Sequence, residues 1–141
     1  MALEQIVSLG WAQSEADARR ASYTRVLRIA LLIDIVLGAY AIVAPTSFSG
    51  MLGIGVQPPG WVTAWGGLML LAVIMHVPGL LDPMRRRWPN VAGAAGRFLL
   101  AALYLVIGGG FLWLALLQVV LSLSLASLYF AFLKAELMSR P

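Results

Sequence analysis

Residues 25–45, RVLRIALLIDIVLGAYAIVAP, decide how the rest of the chain is read. The run is apolar and long enough to cross the roughly 30 Å hydrocarbon core of a bilayer, which takes about 20 helical residues. One carboxylate, Asp34, interrupts it. A charge in mid-bilayer costs about 2.5–3.5 kcal/mol even on the most lenient insertion scale, so neighbouring helices are expected to give Asp34 a partner.

Composition agrees with this reading. Of 141 residues, 61% are hydrophobic and 11% charged, with a mean hydropathy of +0.88. Soluble domains carry about a quarter charged residues, so the chain is expected to be one membrane domain. The absence of cysteine excludes disulfides, thiolate zinc or iron–sulfur sites and thiol redox chemistry. The net charge of +4 does not point to nucleic acid, because the basic residues sort by membrane side instead of forming one patch.

Outward from the first span, residues 1–24 carry Leu3, Ile6, Val7 and Trp11 near helical spacing. They do not read as a signal peptide, because Glu4 stands where a basic segment belongs and no apolar core follows. A short amphipathic helix lying in the interface is expected, with a new helix start at Ser14 and Asp17. Residues 46–60, TSFSGMLGIGVQPPG, are uncharged and rich in Gly, Ser and Pro, which predicts a loop on the membrane surface. A second span is expected over 61–81, after Pro58 and Pro59 and with a kink at Pro78. The turn 82–90, DPMRRRWPN, leads to a third span over 91–107. Gly108, Gly109 and Gly110 then break an apolar run too long for one crossing, and a fourth span covers 111–133. Leucine-rich all round, this last helix is expected to have the most lipid contact. The domain proper is thus 25–141, an all-α integral membrane four-helix bundle.

All ten Lys and Arg residues lie before or in the first turn of the first span, between or near the second and third, or after the fourth. The positive-inside rule therefore predicts cytoplasmic N- and C-termini in a multi-pass membrane protein. Trp11, Trp61, Trp65 and Trp88 are expected as interface anchors. Gly66, Gly67, Gly93 and Gly96 are expected to let helices approach closely.

Three ionisable residues stay within the spans: Asp34, His76 and Arg97. Counted from Arg28, Leu81 and Val91 respectively, each falls roughly 8–9 Å from the cytoplasmic side. An Asp34–Arg97 ion pair that locks the bundle is one reading, and a small pocket for a headgroup, a quinone or a proton is another. Tyr40, Tyr104 and Gln118, on the outer halves of their spans, read as anchors or interhelical hydrogen bonds. One histidine with one aspartate makes no metal site. No G-x-x-x-x-G-K or H-E-x-x-H occurs, and the serines lack a hydrolase neighbourhood, so nothing here points to an enzyme.

GAYAIVAP at the end of the first span, the loop F-x-x-x-L-G-I, WGGLMLL, LLDPMRRR and GRFLLA together resemble the DoxX-like group of small four-helix bacterial membrane proteins. That resemblance implies an association with quinone-coupled redox enzymes. The residues themselves favour a non-catalytic accessory subunit of a larger inner-membrane complex, which analogy alone would make respiratory or photosynthetic. Its partners would be membrane lipids and other integral subunits. It would carry no cofactor of its own, with a quinone or lipid as the ligand a pocket would take. A small homo-oligomeric transporter or channel is the third reading.

Overall fold

The computed structural model describes residues 2–139, with 2–9 as backbone only. Among them the regular structure is all helical: α1 (Ala2–Val43), α2 (Pro45–Leu52), α3 (Pro59–Leu81), α4 (Arg87–Ile107) and α5 (Phe111–Met138). Four of these, all but α2, are long and apolar enough to cross a membrane.

The buried positions explain why they bundle. In α1 they include Tyr23, Leu27, Ala30, Asp34 and Ala41, and in α4 Asn90, Gly93, Arg97, Ala101 and Tyr104. In α5 they include Gln118, Ser122, Leu125, Tyr129 and Phe132. Steps of three and four keep one face of a helix inward and suit antiparallel neighbours at a shallow angle. The α1 helix lies against α3 and α5, α4 lies chiefly against α5, and α3 touches α4 much less. Gly38 and Gly66 let α1 and α3 meet backbone to backbone: a Cβ on Gly66 would stand 2.6 Å from the Gly38 carbonyl oxygen.

Several expectations change. No separate interfacial helix precedes the first span, and no helix begins at Ser14. The α1 helix runs unbroken through that point for 42 residues. Residues 14–22 are mostly good helix formers. Ser22 and Thr24 satisfy their hydroxyls on the carbonyls of Ala18 and Arg20, each at 3.0 Å. Tyr23 then docks against Tyr129 and Phe132 of α5, with centroids 5.0 and 6.5 Å away. The side chains of Leu3, Ile6 and Val7 lie outside the described residues.

The expected loop 46–60 is half helix. Pro45 ends α1 and opens α2, since a proline at the first helical position sacrifices no hydrogen bond. Gly53, at φ 63°, caps α2 in the left-handed region, its N–H donating to Gly50 O at 3.1 Å. Phe48 does not face a membrane surface. It is buried between Tyr40 and Trp65. The α4 helix begins four residues before the expected third span, and α5 runs five beyond the expected fourth. Gly108 and Gly109, at φ 72° and 57°, make the tight turn between them. The α5 helix is not the most exposed crossing helix. It packs on both α1 and α4, and the sparsely covered helix is α3, with Leu68, Leu71, Ile74 and Met75 exposed.

Candidate functional site

Midway along the bundle, Asp34 of α1 meets Arg97 of α4. Arg97 Nη2 donates to Asp34 Oδ2 and Nη1 to Oδ1 at 3.3 Å, and both side chains are almost wholly buried. Nη1 also donates to Gln118 Oε1 of α5 at 2.8 Å. Three helices are thereby joined through one guanidinium, whose planar fork of donors suits this better than a lysine would.

The depth of the pair differs from the sequence count. Because α4 begins at Arg87, Arg97 stands ten residues from either end of that helix, roughly 15 Å each way. In a helix that spans a bilayer, that is where a lone charge is most expensive and pairing most necessary. Gln118 belongs to the same layer, although the sequence reading left it among the outer-half residues. Its signal was the inward stripe 118, 122, 125, 129, 132 on α5, which places it in line with Ser122, and Ser122 Oγ donates to Ala94 O at 2.8 Å.

His76 makes no hydrogen bond to this pair. Its Nδ1 lies 2.7 Å from Ala72 O of its own helix, a contact that requires the proton on Nδ1, since a carbonyl only accepts. Nε2 is pressed against Gly93 of α4, is buried, and has no hydrogen-bond partner. Only glycine leaves room for the ring there, because a Cβ at position 93 would occupy the imidazole's place. Gly93 is one turn from Arg97, so His76 sits one turn closer to the arginine-rich end.

Asp34, His76 and Arg97 nevertheless share one cavity. Where α3 and α4 part, a cleft of about 490 Å³ opens, within the roughly 300–1,000 Å³ usual for small-molecule sites. Its walls are apolar, with Leu68, Leu71, Met75 and Leu100 among them; Trp88 and Pro89 line it at the start of α4. Asp34, Arg97, Gln118 and His76 are its polar residues. Arg97 Nε is buried without a hydrogen-bond partner. Gln118 is engaged through Oε1, and its amide nitrogen donates to nothing among the described residues.

The remaining expected positions divide. Gly66 of α3 is buried against α1 and Gly93 beneath His76, whereas Gly67 and Gly96 face open space, Gly96 on the cleft wall. Trp11, Trp61 and Trp88 are exposed. Trp65 turns inward, where its Nε1–H donates to Tyr104 Oη at 2.9 Å. Tyr40 stacks edge-on against Phe48. Asn90, which the sequence reading passed over, is buried. Its Nδ2 reaches the carbonyls of Gly79, Pro83 and Arg86 at 3.2, 3.5 and 3.4 Å, tying α3 to the start of α4.

Compared with protein-family models, with curated proteins and with solved structures, the chain matches none.

Proposed function

We propose that the chain is a multi-pass membrane protein, with its arginine-rich end cytoplasmic, that holds a membrane-soluble ligand in the cleft between α3 and α4. The protein acts by binding and orienting that ligand and performs no bond chemistry of its own. The carrying observation is the cleft: about 490 Å³, apolar along its walls and polar where the Asp34–Arg97–Gln118 layer meets it. A site of that make-up takes an amphiphile tail and head together. The thin contact between α3 and α4 favours entry sideways from the lipid. A DoxX-like kinship, with its link to quinone-coupled enzymes, would fit such a ligand.

The test is lipid retention. The full chain, purified in mild detergent and released by native mass spectrometry, should carry a lipid-sized adduct. Met75→Trp, which fills the cleft from an exposed position, should lose it while keeping the wild-type unfolding midpoint. A bare wild-type protein, or an adduct indifferent to Met75→Trp, refutes the reading.

A second reading is favoured by the exposed face of α3, where Leu68, Leu71 and Met75 stand beside the open Gly67. A partner subunit's helix could cover that face, as in an accessory subunit packed through small residues. A chain that purifies alone from its own membrane in mild detergent counts against it.

A further inference from the structure

If the cleft is a ligand site, as proposed above, its polar residues also define which heads it accepts. The cleft wall carries one carboxylate and one guanidinium, Asp34 and Arg97, and they are hydrogen-bonded to each other. Neither has charge to spare for a visitor, and the Nε2 of His76, the other ionisable side chain of the lining, is buried against Gly93. A charged head brought to this depth would be stripped of water without gaining a counter-ion, and burying an unpaired charge is among the costliest arrangements a protein interior can contain. The site therefore selects against carboxylate, phosphate and ammonium heads.

The same layer defines what the head presents. Its two unpartnered polar nitrogens nearest the ion pair are both donors: the buried Nε–H of Arg97 and the amide N–H groups of Gln118, a residue 1% exposed. Donors call for an acceptor. An uncharged oxygen, in a hydroxyl, an ester or a ketone, meets that requirement without adding charge. From this we infer that the cleft takes an uncharged lipid whose polar end is an oxygen acceptor, the tail lying along Leu68, Leu71 and Met75.

Four probes with one C18 chain separate the terms: oleyl alcohol, oleate, oleylamine and 1-octadecene. Each competes with radiolabelled oleyl alcohol for the full-length protein in nanodiscs. The expected order places oleyl alcohol about tenfold tighter than 1-octadecene, the scale of one or two hydrogen bonds, with oleate and oleylamine weaker than the alcohol. Gln118→Met should bring the alcohol down towards the alkene while leaving the alkene unchanged. The wild-type ranking stands as a test even where that variant does not fold. Oleate or oleylamine matching the alcohol overturns the charge argument, and equal binding of alcohol and alkene overturns the oxygen-acceptor argument. Failure of all four to bind overturns the binding reading itself, which keeps the two failures distinct.

Discussion

Asp34→Leu leaves the Arg97 guanidinium in the middle of the bundle with Gln118 Oε1 as its remaining side-chain acceptor. Removing one member of a buried pair typically costs about 3–5 kcal/mol, because the other is left uncompensated. Arg97→Leu strands the carboxylate at a similar cost of about 3–5 kcal/mol. Independent losses would sum to about 6–10 kcal/mol, more than many bundles of this size could lose and stay folded. The double variant, however, contains neither charge. Replacing a buried ion pair by apolar side chains is often near neutral. What remains is the loss of the Gln118–Arg97 hydrogen bond, about 1–3 kcal/mol for a buried group left unpaired. The double variant should therefore lose only about 1–3 kcal/mol, a coupling of at least roughly 3 kcal/mol. Unfolding of all four proteins in mixed micelles titrated with sodium dodecyl sulfate, followed by circular dichroism, measures each loss. If the double variant's loss equals the sum of the single losses within about 0.5 kcal/mol, the two groups act independently and the reasoning collapses.

Three further outcomes follow from the geometry. Gly66→Ala should destabilise the bundle by about 1–3 kcal/mol in the same titration, because the new methyl meets the Gly38 carbonyl and the Ala41 side chain. Gly67→Ala, with nothing within 4 Å, should be neutral or stabilising by up to about 1 kcal/mol through better helix propensity. Asn90→Ala removes the donor shared by Gly79, Pro83 and Arg86. A loss of about 1–3 kcal/mol is expected, with hydrogen exchange accelerated at residues 82–90 ahead of the rest. The cysteine-free sequence allows clean labelling of the proposed topology. In intact spheroplasts an impermeant maleimide should modify Gln57→Cys but not Arg86→Cys, and the reverse pattern would invert the assigned orientation.

The apolar spans were readable because hydropathy over 18 or more residues leaves little choice, and Gly108–Gly110 marked the one place where two spans could be confused. The start of α1 was harder. An amphipathic segment lying on a membrane and a helix continuing into it share one periodicity; the docking of Tyr23 on α5, which accompanies the continuous form, is a tertiary contact. Pro45 misled in the same way, since a proline both stops one helix and starts another. Asp34 and Arg97 could be singled out as costly, but their depth depended on where α4 begins. The four residues from Arg87 to Asn90 moved Arg97 to the middle of its helix. Gln118 was overlooked because depth was counted helix by helix, while the α5 stripe that holds it inward spans the whole element. His76 over Gly93 is a pairing between helices that no spacing within one helix could announce.

The unbroken α1 helix has a geometric consequence. Its 42 residues extend about 63 Å, roughly twice the thickness of a bilayer's hydrocarbon core. Trp11 and Asp34 thus stand about 35 Å apart along a single helix axis with no break between them.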